Sequence, residues 1–265
     1  MESLKKLLPP TSYSDNEKAD TTIQRCITCI QVQAKQQRSY NRKPIEKTTK
    51  SFNLLHSDLC GPLVVSHSGY RYFILYINNF SQTAWVYFLS SKKAEEVVLV
   101  FQEFQAMVDK QYPEYTIRRF RCDNGQGEYD NTFFHGILRV GGISFEPSPP
   151  YTQHKNRVSE RMIRTISTKA RSMLLDSQLE DIFWAEAVNT ATYPHARSPS
   201  SSLNGRTPYY EVLTGNKPEL QHLRRFGSAA HKLIPPEPRS GKFSARSRLC
   251  LMMGYVHNTT KIWHL

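Results

Sequence analysis

Three carboxylates in this 265-residue chain sit where they could do chemistry: Asp58 in His56-Ser-Asp58-Leu-Cys-Gly-Pro62, Asp123 in Asp123-Asn-Gly125, and Glu160 in Asn156-Arg-Val-Ser-Glu160-Arg161. If the fold gathers them, they repel one another and raise at least one pKa, an arrangement that makes sense when hard divalent cations sit between them. Two Mg²⁺ or Mn²⁺ ions about 3.5–4 Å apart would activate an attacking oxygen and stabilise a leaving one, which is phosphodiester chemistry. Nearby groups have plainer readings. Glu128 and Asp130 fit a solvated turn. His56 reads as a packed strand histidine and His154 as an exposed loop histidine. Cys60 and Cys122 read as small buried hydrophobes.

Three elements must position these carboxylates. Phe52 to Cys60 reads as a strand stopped at Gly61-Pro62, with Asp58 near its end. Tyr115 to Cys122 alternates as another strand, and Asp123-Asn-Gly-Gln-Gly breaks it, so Asp123 leaves from its terminus. Parallel pairing of these two strands would bring both Asp side chains to one edge. The third element is a proline-stiffened loop from Ser148 that feeds a helix, with Asn156 as N-cap and Glu160 in the first turn. At about 100° per residue, Arg157, Glu160, Arg164 and Arg171 share one arc, while Val158, Met162, Ile166 and Met173 share the other side. An ordinary amphipathic helix with Glu160 paired to Arg164 would show the same pattern.

Between them, Tyr70 to Ile77 and Thr83 to Leu89 complete an antiparallel meander, and Lys93 to Lys110 has helical spacing. Asn131 to Val140 fits a short helix, Gly142 to Glu146 a short strand, and Leu179 to Tyr193 a helix closed by Pro194. Ser/Pro/Gly-rich text follows, with a short helical piece at Pro208 to Leu213. Leu223 to Ile234 and Leu249 to Val256 read as strands of a small β unit. The expected division is a basic arm over 1–50, an α/β core with a mixed sheet over 51–197, a linker over 198–222 and a small β domain over 223–265.

Lys plus Arg number 35 against 23 Asp plus Glu, a net charge of +12, so the expected partner is a polyanion, DNA first and RNA second. Lys155, Arg157, Arg161, Arg164 and Arg171 are the candidate phosphate contacts. No apolar run approaches the roughly 20 residues of a membrane span, and the N-terminus lacks a signal-peptide core, so an intracellular protein with no membrane partner is expected. Five cysteines, grouped only at Cys26 and Cys29, make no disulfide framework. Those two would be half of a Zn²⁺ site, which needs four ligands.

These motifs, with Trp85-Val-Tyr-Phe-Leu89, Pro150-Tyr-Thr and Phe226-Gly227, resemble the integrase of copia-type retrotransposons, built on the ribonuclease-H-like fold. The resemblance covers residues 25 to 256. Between Asp123 and Glu160 lie 36 residues, against about 35 in the family pattern. It implies that Asp58, Asp123 and Glu160 are a metal-binding catalytic triad. It also implies an SH3-like tail and a zinc module whose second half is Cys26 and Cys29. The implied activity is 3′-end processing and strand transfer into target DNA by a homo-oligomer working in the nucleus. The chain departs from the family in lacking the upstream zinc histidines, and in having Arg157 where glycine usually follows the asparagine. The alternative expectation is therefore a truncated, inactive remnant that binds nucleic acid.

Overall fold

The computed structural model describes residues 46–123, 127–147, 157–235, 241–256 and 259–264. Apolar and aromatic alternation builds the first three strands, β1 (Leu54–Cys60), β2 (Tyr72–Asn78) and β3 (Ala84–Leu89), paired antiparallel in sequence order. Helix α1 (Ala94–Gln111) then crosses over, so that β4 (Arg119–Cys122) returns parallel to β1. A second helix, α2 (Thr132–Val140), capped by the Asn131 side chain on Phe134 N–H, crosses to β5 (Ser144–Pro147), parallel to β4. The sheet order is β3-β2-β1-β4-β5. Helix α3 (Arg157–Ser177), a 3₁₀ turn (Asp181–Phe183) and helix α4 (Trp184–Arg197) follow.

The period-2 alternation of the strands sorts side chains onto two cores. Ile74 and Tyr76 of β2 face Val97, Phe101, Phe104 and Val108 of α1, together with Phe134 and Leu138 of α2. Phe73, Leu75 and Ile77 face the other way, onto Val158, Met162, Ile166, Ala170 and Leu174 of α3 and onto the alanine-rich side of α4. The result is helix, sheet, helix in three layers. On α3 the buried stripe drifts from Met162 to Leu174, which leaves Met173 only half-buried at its margin.

Several boundaries differ from expectation: the helix read from Leu179 is a 3₁₀ turn and then α4, and the strand read from Leu223 begins at Ala229. Strand β4 is only its last four residues, and the alternation breaks before it, since Ile117 and Phe120 are both buried in the α1-side core. Helix α4 runs through Pro194 to Arg197. The Arg197 guanidinium lies 3.3 Å from the Tyr193 ring centroid and 4.7 Å from that of Tyr210, and Ser198 Oγ donates to the Pro194 carbonyl at 2.6 Å, contacts that offset the lost N–H. The following stretch forms a 3₁₀ turn (Ser201–Leu203) and a π turn (Pro208–Thr214), whose Leu213 is buried in the α1-side core. Strands β6 (Ala229–Leu233), β7 (Ser247–Val256) and β8 (Thr259–His264) make a separate antiparallel sheet. Its Met253 packs against α4, and Thr190 Oγ1 donates to the Met253 carbonyl at 3.3 Å.

Phe104 is fully buried and stacks on Tyr76 at 4.6 Å, whereas Leu99 on the same helix is 63% exposed. Phe104→Ala should lower the unfolding free energy by about 3–5 kcal/mol in denaturant titration, and Leu99→Ala should change it by less than about 0.5 kcal/mol.

Candidate active site

The β1/β4 register carries the site. Leu54, Leu55 and His56 lie level with Arg119, Phe120 and Arg121, and continuing two residues sets Asp58 level with Asp123. Side-chain parity agrees. Leu55 and Leu59 of β1, and Phe120 and Cys122 of β4, belong to the α1-side core, so Asp58 and Asp123 leave from the opposite face, where α3 packs. Glu160 stands in the first turn of α3, half-buried, and Asp123 is exposed at the end of β4.

The electrostatics register this convergence. Asp58 Oδ1 accepts a 2.9 Å hydrogen bond from the Leu59 N–H, which favours the anion. Burial outweighs it, and the charges of Asp123 and Glu160 add to burial, so the Asp58 carboxyl is pushed up to about 7. Among the described residues, no three His, Cys, Asp or Glu side chains lie close enough together to hold a metal ion. The donor set still fits Mg²⁺ or Mn²⁺: it is all carboxylate oxygen, and a cation would offset the burial and the neighbouring charges that together raise Asp58.

The surrounding polar groups hold the two strands in place. Buried Ser57, next to Asp58, shares a 2.7 Å hydrogen bond with the buried Tyr129 hydroxyl, which ties β1 to the turn beyond Asp123. At the other end of β1, Asn79 Nδ2 donates to His56 Nε2 at 2.9 Å, while Asn79 Oδ1 accepts from Thr48 N–H at 2.9 Å and from Thr48 Oγ1 at 3.1 Å. Burial and the Arg121 charge hold His56 down to about 3, so it is the packed, neutral strand histidine expected. Glu46 accepts from Arg119 at 2.8 Å and from Arg121 at 2.7 Å, and Glu146 also pairs with both. Glu128 pairs with Lys92 at 3.4 Å and Asp130 with His135 at 2.9 Å, so each has a partner of its own. Burial raises both Cys60 and Cys122, Cys122 deep in the α1-side core and Cys60 half-buried.

Of the candidate phosphate contacts, Arg161, Arg164 and Arg171 are exposed on α3 and Arg157 is half-buried at its start. Lys155, Asn156, His154, Cys26 and Cys29 lie outside the described residues. Sequence reasoning missed the Glu46 clamp and the Ser57–Tyr129 bond. The alternation of Arg119 and Arg121 with Phe120 and Cys122 marked one polar face of β4, but nothing local pointed to a partner 73 and 75 residues away.

A raised carboxyl has a defined sign. In the folded chain Asp58 keeps a proton between its ordinary value of 3.8 and about 7, where the unfolded chain has released it, so its contribution to stability falls as pH rises through that window. In chelator, the melting temperature of Asp58→Asn relative to wild type should therefore rise between about pH 4 and about pH 7. A difference that stays constant with pH would show that Asp58 is not the repelled carboxyl.

No family model matches the chain. It is 38% identical over 236 residues to the retrovirus-related Pol polyprotein from transposon TNT 1-94 of Nicotiana tabacum, covering 89% of this chain and 17% of that protein. It is 29% identical over 208 residues to the corresponding polyprotein from transposon RE1 of Arabidopsis thaliana, covering 78% of this chain and 14% of that one. The chain thus spans less than a fifth of the length of either relative. Among solved structures, a chain of the simian T-cell lymphotropic virus intasome, determined with the PP2A regulatory subunit B56 gamma, superposes with a TM-score of 0.54 at 11% identity, covering 90% of this chain and 84% of that one. No helix among the described residues is long and apolar enough to cross a membrane. By sequence the chain is a homologue of one segment of the retrovirus-related Pol polyproteins of copia-type transposons, and by sheet order and helix placement it carries the ribonuclease-H-like integrase fold.

Proposed function

We propose that this chain is the catalytic segment of a retrotransposon integrase, a polynucleotidyl transferase that trims the 3′ ends of element DNA and joins them to target DNA. The observation that carries the reading is the level placement of Asp58 with Asp123 at one end of the β1/β4 pair, within electrostatic reach of Glu160 on α3. Asp58, Asp123 and Glu160 would hold two Mg²⁺ or Mn²⁺ ions, which, when bound, activate the attacking oxygen and stabilise the leaving one. In each displacement one P–O bond forms as another breaks, so joining needs no outside energy source.

The chain's own residues then orient and bind. Ser57 and Tyr129 fix the strand that carries Asp58. Glu160 sits in the first turn of a long helix, and Arg161, Arg164 and Arg171 are exposed on that helix to grip the phosphate backbone. A homo-oligomer assembled on DNA, working in the nucleus, is part of the reading.

Binding and chemistry separate by mutation. Glu160→Gln should abolish nicking and joining in Mg²⁺ while leaving duplex binding in chelator equal or tighter. Arg164→Gln or Arg171→Gln should weaken duplex binding at any sequence and flatten its logarithmic salt dependence by about one unit per lost contact. Joining by Glu160→Gln at the wild-type rate would sink the assignment of this helix. A wild type that joins nothing yet binds with the arginine-dependent slope is a nucleic-acid-binding remnant.

A further inference from the structure

Beside the carboxylate site, on the other side of the first turns of α3, lies a cavity of about 240 Å³ between the segment before β1, the β2–β3 turn, α3 and the turns after α4. Its cations come from three separate stretches of chain: Lys47, Arg161 and Arg206. All three are exposed, and among the described residues none is paired with a carboxylate. The acidic group in the lining, Glu46, has both oxygens occupied by Arg119 and Arg121, so it does not cancel the rim.

The rim is held, not merely crowded. Lys47 Nζ donates to the Ser202 carbonyl at 3.4 Å, and Arg161 Nη2 to Gln82 Oε1 at 3.4 Å. Arg206 is presented by a closed turn, in which Ser200 N–H donates to the Arg206 carbonyl at 3.1 Å and Gly205 N–H to the Ser200 carbonyl at 3.0 Å. The long contacts to neutral acceptors leave guanidinium and ammonium protons available. The same wall carries the apolar side chains of Phe80, Leu203 and Val212, interleaved with the neutral polar groups of Thr48, Asn79, Gln82 and Asn204. Cations beside apolar side chains suit an anion that carries a flat ring and not a bare inorganic anion.

We propose that this cavity is a nucleotide site: a phosphate ester held by Lys47, Arg161 and Arg206, with its base against Phe80, Leu203 and Val212. The chemistry is shared by a free nucleoside monophosphate and by one splayed nucleotide of a single strand, in which base and phosphate separate as they do on other single-strand platforms. No metal is required, and the site is independent of Asp58, Asp123 and Glu160.

The full chain in chelator is titrated by calorimetry with AMP, dTMP and inorganic phosphate, and by fluorescence anisotropy with a short single-stranded oligonucleotide. The nucleotides should bind at least about tenfold more tightly than inorganic phosphate, and Lys47→Gln and Arg206→Gln should each weaken them by about tenfold, the loss of one charge-assisted contact. Both changed side chains are exposed, so melting temperatures should match wild type. Phe80→Ala, which removes apolar wall and leaves the rim, should bring nucleotide affinity down towards that of phosphate. Rim-dependent binding of mononucleotides, with none of the strand, makes a free nucleotide the occupant; rim-dependent binding of the strand alone makes it a strand segment. Binding of neither, or binding unchanged by both rim substitutions, overturns the site. Phosphate bound as tightly as nucleotide also overturns it. Glu160→Gln should leave every one of these affinities unchanged, so failure of joining and failure of this site are told apart.

Discussion

The parallel pairing of β1 with β4 is the constraint on which the rest depends. It sets Asp58 level with Asp123, and because side chains alternate along a strand, a slip of one residue would turn one of the two carboxylates into the α1-side core. Register is therefore held from several directions. Phe120 and Cys122 are fully buried among Phe101, Phe134 and Tyr129, and the Ser57–Tyr129 hydrogen bond closes the end that carries the carboxylates. On the open face of β4, Glu46 and Glu146 each bind both Arg119 and Arg121. Half-exposed pairs of this kind contribute little singly, but four bonds onto two adjacent arginines of a short strand resist sliding.

Charge is sorted along the same axis. Asp58 and Asp123 lie level at one end of the strand pair, and burial, with the charges of Asp123 and Glu160 added, pushes Asp58 up. Along β4 the arginines are neutralised by their own acids, and Glu46 is held below its ordinary value chiefly by its hydrogen bond to Arg121. Among the described residues, the exposed cations include Arg161, Arg164 and Arg171 of α3 and Lys47 and Arg206 of the segments near it. A chain with a net charge of +12 thus does not present uniform positive charge: Arg119 and Arg121 are paired with Glu46 and Glu146, while the arginines along α3 are exposed.

Much of this was legible because it is local or periodic. The three strands of the meander, α1 and α2 follow from apolar spacing and the Asn131 cap, and the parallel β1/β4 pair follows from a helix separating two strands whose ends carry Asp58 and Asp123. What escaped depends on distant partners. Pro194 reads as a helix stop until Tyr210 supplies the second ring over Arg197, and its hydroxyl accepts from Arg197 Nη2 at 2.6 Å. Tyr115 belongs by alternation to β4, yet it lies outside that strand, its ring tilted against Phe52 with centroids 6.0 Å apart. Gln82 and Arg206 showed no signal at all, because a cavity wall made from four separated segments has no sequence period.

Helix α3 joins these parts. One side of it is buried against β2 through Val158, Met162 and Ile166, and this fixes its rotation as firmly as the sheet fixes Asp58. With rotation fixed, consecutive residues are aimed about 100° apart: Glu160 turns towards the carboxylates and Arg161 towards Gln82 and the cavity. Chemistry and phosphate contact are thereby set on one rigid body, and a substitution that rotates α3 would move both together. Large residues in the stripe prevent that rotation, whereas the arginines on the open side are free to vary in what they hold. The helix can therefore keep the aim of Glu160 while the side chains on its open side change.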